Sequence, residues 1–173
     1  MGHGRFSLSR RVVLAGIAAP FVGAGRSLAG QIKAIERDIA APALSLPLLS
    51  GGLASLDSFP TQPVIVAFWA TWCVPCRAEL PALSRLNDSQ MVRVFAVNAG
   101  EPEARIAPFV DRIGLQTLPI VIDPHRRAMV DWRVTALPTA YIVGPDRRIK
   151  FLVLGDIDWE SDAVRDQIAA LQS

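Results

Sequence analysis

The chain has 173 residues, enough for one domain with its own apolar core and too few for two comfortable ones; 51% of it is hydrophobic, and it carries no repeat or low-complexity tract. Its formal charge of +2 is uneven: Arg5, Arg10, Arg11 and Arg26 fall within residues 1–29, where no acidic residue occurs. The remainder holds 14 basic against 16 acidic residues, so it offers no basic footprint for nucleic acid, and that function class is excluded.

Residues 1–29 read as an export signal. Arg5, Arg10 and Arg11 precede an apolar stretch over 12–25, and Ser27 and Ala29 place small residues three and one positions before a cut ahead of Gly30. Ser9-Arg10-Arg11-Val12-Val13-Leu14 resembles the twin-arginine signal of bacteria. The alternatives are an uncleaved anchor and an ordinary amphipathic helix. As a helix the stretch spans roughly 21 Å, short of the roughly 30 Å of a bilayer core, so the mature form is expected to hold no stable membrane span.

Residues 30–41 form a polar-apolar lead-in ended by Pro42, and 42–173 form the main domain. Runs at 44–48 and 53–56 flank Ser50-Gly51-Gly52, a loose hairpin. The continuous apolar run 64–68 after Pro63 predicts a buried central strand. Cys76, Leu80, Leu83 and Leu86 recur at helical spacing and predict a helix over 73–87, kinked at Pro81. A second buried strand follows at 92–97. Pro102 and Gly114 bracket a helix that contains Pro108. A third strand at 118–122 ends at Asp123-Pro124, with a short helix over 126–132 behind it. Strands 140–143 and 149–154 make a hairpin about Gly144-Pro145-Asp146. Ser161 or Asp158 caps a last helix with Val164, Ile168 and Leu171 inward. This order indicates an α/β sandwich with a mixed sheet.

Cys73 and Cys76 are the only cysteines. As a staple they are poorly placed: closing so short a ring contributes about 2 kcal/mol, against about 4.7 for a 100-residue loop. A structural zinc site needs four ligands, and the chain adds only His3 and His125, so no metal is assigned. Covalent haem attachment needs a histidine directly after the second cysteine, where Arg77 stands. The reactive reading fits the local physics. Cys73 falls at a strand-to-helix junction, where the positive end of the helix favours its thiolate. Cys76, one turn in, is placed to resolve a mixed disulfide formed on Cys73. Pro75 stiffens the first turn, where its missing N–H costs nothing. No cofactor is required.

The segment Phe68-Trp69-Ala70-Thr71-Trp72-Cys73-Val74-Pro75-Cys76-Arg77-Ala78-Glu79-Leu80-Pro81 resembles the active-site segment of exported thioredoxin-fold thiol–disulfide oxidoreductases of the TlpA/ResA/DsbE type. Thr135-Ala136-Leu137-Pro138-Thr139 is similar to the family's cis-proline loop, and Gly155-Asp156-Ile157-Asp158-Trp159 to its closing segment. The resemblance runs from about Pro42 to the C-terminus and implies a thioredoxin-like sandwich, a central mixed β-sheet flanked by helices. It further implies a cis Leu137–Pro138 bond facing the cysteines, with the Leu137 backbone free to pair with an extended substrate; without it, Pro138 reads as an ordinary trans proline starting a strand. Ala67 occupies the position where thioredoxin has a buried Asp. Glu79 matches a glutamate of the TlpA/ResA branch and becomes a candidate for proton transfer near Cys76, the alternative being a solvated surface side chain. The 62 positions from Cys76 to Pro138 are about twenty more than a minimal thioredoxin needs, which implies a TlpA-like helix–strand insert over 102–122. Trp72, Val74, Pro75 and Leu137 would then form an apolar rim suited to a docked peptide.

The resemblance implies an exported, periplasmic reductase of protein disulfides, such as those of apocytochromes c or of an oxidase copper site, regenerated by a membrane protein that passes on cytosolic electrons. A thiol oxidase of the same mechanism and a Cu(I) metallochaperone are the alternatives. Copper carriers of this fold space their cysteines by three residues and add a histidine; here the spacing is two, with only His125 available. A peroxidase would need a threonine four residues before a single reactive cysteine, which is absent. Arg126-Arg127 and Arg147-Arg148 read as solvated turn residues.

Overall fold

The computed structural model describes Met1 and residues 30–172. The export-signal segment lies outside the described residues apart from Met1. No helix among the described residues is long and apolar enough to cross a membrane.

One six-stranded mixed sheet organises the chain. In chain order the elements are β1 Gln31–Ala34, β2 Ser45–Pro47, β3 Leu53–Ser55, a 3-10 turn Leu56–Ser58, β4 Val64–Trp69, α1 Val74–Asp88, β5 Arg93–Asn98, α2 Glu103–Ile113, β6 Ile120–Val121, α3 Arg127–Asp131, β7 Thr139–Val143, β8 Ile149–Leu154 and α4 Asp162–Ala169. The sheet order is β1-β8-β7-β4-β5-β6. β4, β5 and β6 run parallel, while β7, β8 and β1 add on antiparallel.

The central position of β4 follows from its sequence. Every residue from Val64 to Trp69 is buried, as a strand covered on both faces requires. Its side chains alternate between two cores. Ile65, Ala67 and Trp69 join Cys76, Leu80 and Leu83 of α1, Ile106 and Phe109 of α2, and Val164 and Ile168 of α4. Val64, Val66 and Phe68 face the opposite layer, built from Leu44, Leu56, Ala128, Trp132 and Val134. Ala67 pairs in register with Ala96 and Ala140, a row of small side chains in the layer that holds Cys76.

The expected insert is present as α2 and β6. α2 starts after Pro102 and stops at Gly114, whose φ of 70° is the left-handed cap that glycine adopts without a Cβ penalty. β6 carries only two residues in the ladder, fewer than the run 118–122 suggests, and its other edge meets the β2 end of the hairpin. Leu49 N–H donates to the Ile120 carbonyl at 2.8 Å, and Ile122 N–H to that of Pro47 at 2.8 Å. The β2–β3 hairpin so covers an edge that would otherwise be open.

One strand differs from the sequence reading. The lead-in contributes β1, which pairs with β8 from Gln31↔Leu154 to Ala34↔Phe151. Gly30 sits against the chain at 155–156, where a Cβ would lie 2.4 Å from the Asp156 carbonyl oxygen. Only glycine permits this approach, and it docks the start of β1 on the segment that leads to Trp159.

Candidate active site

Cys73 and Cys76 are joined as a disulfide with Cα atoms 5.3 Å apart. β4 ends at Trp69, three loop residues follow, and Cys73 is the N-cap of α1 with extended backbone (φ −82°, ψ 101°). Its sulfur takes the place of a capping oxygen, since Cys76 N–H donates to Cys73 Sγ at 3.3 Å. Arg77 N–H donates to the Cys73 carbonyl at 3.1 Å, and Cys73 N–H to that of Ala70 at 3.1 Å, so the turn is held on both sides. Pro75 lies in the first turn and leaves no orphan donor there. The sulfur therefore meets one backbone N–H and the positive end of a 15-residue helix, the arrangement that stabilises a thiolate. Cys73 keeps 5% of its surface and Cys76 none, so only the first cysteine has any surface open to solvent.

Of the four residues named for an apolar rim, Trp72 is 63% exposed, Val74 is 70% exposed, and Pro75 is exposed. Leu137 is drawn further in, half-buried against both apolar layers. The Leu137–Pro138 peptide bond is cis. Thr139 pairs with Phe68, so Pro138 stands beside the last residue of β4, at the end of the sheet from which the cysteine turn departs. The Pro138 carbonyl accepts from Gly155 N–H at 2.9 Å. Leu137 N–H and C=O make no hydrogen bond among the described residues, so one backbone donor and one acceptor stand unpaired beside the cis bond.

Glu79 is not on the surface. It is 5% exposed, and its Oε2 accepts from Trp159 Nε1–H at 2.9 Å across 80 residues of sequence. Burial pushes its carboxyl up to about 7; the Trp159 hydrogen bond opposes the shift and the Asp156 charge reinforces it. It lies one turn beyond Cys76 on α1, so a group that titrates near neutrality stands close to the buried sulfur.

A second carboxylate escaped the sequence reading. Glu101, 7% exposed, accepts Thr71 N–H at 2.7 Å, the Thr71 hydroxyl at 2.5 Å and Asn98 Nδ2–H at 2.9 Å. Asn98 Oδ1 in turn accepts Glu101 N–H at 2.8 Å. Burial alone would raise the Glu101 carboxyl, but these hydrogen bonds and the Arg105 charge outweigh it and leave the pKa below the usual carboxylate value. Thr71 precedes Cys73 by two residues, so Glu101 ties the cysteine turn to the end of β5. The available signal was a polar Asn98-x-x-Glu101 directly after an apolar strand, but its partner lies 30 residues earlier in the chain.

His125 is exposed in the turn before α3, a helix whose buried Ala128 belongs to the layer opposite Cys76. Arg77 lies over the Phe109 ring at 5.6 Å, joining α1 to the inserted helix beside the exposed Val74.

Residues 38–152 match the family model described as the AhpC/TSA family. The thiol-disulfide oxidoreductase ResA of Geobacillus thermodenitrificans is 34% identical over 123 residues, spanning 69% of this chain and 70% of that protein. A thiol:disulfide interchange protein DsbE homolog of Paracoccus denitrificans is 36% identical over 111 residues, 63% of this chain and 61% of that one. A solved thiol:disulfide interchange protein DsbE from Chlorobium tepidum superposes with a TM-score of 0.71 at 22% identity, over 80% of this chain and 99% of its own; at that identity the likeness shows the thioredoxin-like fold. The chain belongs to the AhpC/TSA family and, within it, to the thioredoxin-like thiol–disulfide oxidoreductases of the ResA, DsbE and CycY type.

Proposed function

We propose that this oxidoreductase works as an exported reductase of protein disulfides, with Cys73 as the attacking and Cys76 as the resolving sulfur. The observation that carries the assignment of roles is the capping contact: Cys73 Sγ is held at the start of α1 by Cys76 N–H, whereas Cys76 is fully buried. In the reduced state the Cys73 thiolate attacks one sulfur of a substrate disulfide. A mixed disulfide forms and the other substrate sulfur leaves as a thiolate. Cys76 gives its proton to Glu79 and attacks Cys73 Sγ. The second substrate thiolate leaves, and the protein ends with the Cys73–Cys76 disulfide seen in the structure. Two electrons pass to the substrate, and a dithiol donor must return two; a membrane protein fed from the cytosol is the donor proposed.

Trp72, Val74 and Pro75 supply apolar contact, and Leu137 beside cis-Pro138 supplies backbone pairing, so the substrate class is an extended peptide rather than a polar small molecule. Exported apoproteins with paired cysteines, such as apocytochromes c or a copper-site subunit, fit that description. The arginine-led N-terminus supports export.

Expression of Cys76→Ser in the native host tests the reading, since it stops the reaction at the mixed disulfide. Recovery of exported proteins bound through Cys73, with none bound in the Cys73→Ser, Cys76→Ser double variant, is the expected result. Equilibration with glutathione separates the directions of transfer: a potential as oxidising as about −120 mV would assign the protein as an oxidase instead.

A further inference from the structure

α1 and the inserted α2 leave a groove between them that opens beside Cys73. Val74, Arg77, Ala78 and Pro81 recur at helical spacing and form one stripe of α1, and Phe109 and Ile113 face them from α2; the groove so lined measures about 480 Å³. Its floor is firm, because Phe109 is 5% exposed and its ring packs on Trp69 of β4 with centroids 5.6 Å apart. Val74, the residue after Cys73, is exposed at the end nearer the sulfur. The groove thus begins at the cysteine turn and follows α1 from Val74 to Pro81, about 10 Å of helix. About three residues of extended chain cover that length.

The charge beside this groove is one-sided. Arg77 from α1 and Arg112 from α2 both lie over the Phe109 ring, each with its guanidinium carbon 5.6 Å from the centroid. Both residues are exposed, and neither forms an ion pair or a side-chain hydrogen bond among the described residues. No exposed acid of either helix turns toward them. Glu79 is the only acidic residue of α1 before its last residue, Asp88, and it is buried against Trp159. Asp111 and Glu103 of α2 stand roughly 160° and 120° around the helix from Phe109.

We propose that this groove receives the part of a substrate polypeptide next to its disulfide, and that it selects an apolar side chain accompanied by acidic ones. The inference rests on the reading of Cys73 as the attacking sulfur and adds a sequence preference to it. Once the substrate cysteine is at Cys73, an apolar side chain within three residues of it rests on Ala78, Pro81 and Ile113. Carboxylates beside that side chain meet the guanidinium groups of Arg77 and Arg112, whose paired N–H donors match two carboxylate oxygens. A basic segment brings like charges together in the same place and is selected against.

Short peptides whose single cysteine is capped as a pyridyl disulfide test the proposal. The Cys73 thiolate of the reduced full chain attacks the peptide sulfur, the Cys73–peptide disulfide forms, and the bond to the pyridyl sulfur breaks. The released thiolate takes up a proton as pyridinethione and is read by its absorbance. Cys-Gly-Leu-Glu-Glu and its reversed order are compared with counterparts carrying Gln or Lys for Glu, or Gly for Leu. Each rate is divided by that of the same protein with uncharged dipyridyl disulfide. In at least one order the Glu peptide should react about fivefold faster than the Lys peptide, with Gln between them, and Gly for Leu should slow it about twofold. Arg77→Glu and Arg112→Glu should each reverse the preference. Arg127→Glu, the same charge change on α3 in the opposite layer, should keep it. Equal rates for Glu and Lys peptides, a preference kept in Arg112→Glu, or one lost equally in Arg127→Glu would each overturn the groove and leave Cys73 as the nucleophile. Reaction with dipyridyl disulfide no faster than that of free cysteine would overturn the nucleophile assignment, and this proposal with it. A dimer in sedimentation that Arg112→Glu dissolves would give the groove to a second copy of the chain instead.

Discussion

Replacing Glu79 by Gln isolates the energetic consequence of burying a carboxyl group under the active-site helix. Gln keeps an oxygen to accept the Trp159 indole N–H, so the 2.9 Å contact survives while the charge does not. The Glu79 carboxyl titrates near 7 in the folded chain against 4.5 for the unconstrained group. Below pH 4.5 it is neutral in both the folded and unfolded states and costs nothing. Between pH 4.5 and 7 the unfolded chain releases a proton that the folded chain retains, so stability falls as pH rises; above 7 both forms are ionised and the loss is complete. A difference of about 2.5 units corresponds to about 3 kcal/mol. Urea unfolding of the oxidised protein at half-unit steps from pH 4 to 9 measures it. The stability of Glu79→Gln minus that of the native chain should grow by about 3 kcal/mol across this window and be flat on either side. Parallel curves for the two proteins would refute the reasoning, since all other titrating groups cancel in the difference.

Three further outcomes follow from the same contacts. Trp159→Phe removes the donor that favours the ionised Glu79, so the pH window of stability loss should move upward, read from the same urea series. Glu101→Ala should cost about 2–4 kcal/mol by leaving the Thr71 and Asn98 donors unmade, and should speed hydrogen exchange at the Thr71 amide. Because the Glu101 pKa lies below the usual 4.5, its contribution is present above that value and lost as pH falls through the lowered one; the alanine variant should lack this acid limb. Leu83→Ala, at a fully buried position of α1, should cost about 2–5 kcal/mol by denaturation without moving the Glu79 window.

The parts of the fold that sequence reading recovered are those whose burial leaves a local pattern. The run at 64–68 is apolar throughout because β4 is covered on both faces, and α1 shows helical spacing because one side of it lies on the sheet. β1 left no such trace: Gln31–Ala34 forms an edge with exposed side chains at three of its four positions, held by backbone pairing to β8 that any sequence can make. Arg147, whose side chain is only 24% exposed, was misread for a related reason. A turn flanked by Asp and Arg is normally solvated, and only the folding of residues 41–45 and 55–57 over it brings the guanidinium inside. Cys73 and Cys76 were legible because their partner is three residues away. The partners of Glu79 and Thr71 stand 80 and 30 residues off, a distance across which residue spacing carries no information.

The two buried glutamates show how one helix entrance can hold two carboxyls in opposite protonation regimes, which is what the proposed roles require. They are the same residue type at similar burial, 5% and 7% exposed, and they differ in their donors. Glu101 accepts three hydrogen bonds from Thr71 and Asn98, and Arg105 adds a cation 3.9 Å away, so it stays ionised and acts as a fixed tether for the turn. Glu79 accepts one hydrogen bond, from Trp159, and feels the Asp156 charge, so its proton is held until about neutral pH. A group that stays ionised at neutral pH is poorly suited to the proton-acceptor role proposed for Glu79, and a group that changes charge near pH 7 would make an unreliable tether. Environments that push two carboxyls apart in this way divide the work between them. Exchanging their surroundings, rather than the residues, is what would exchange their roles.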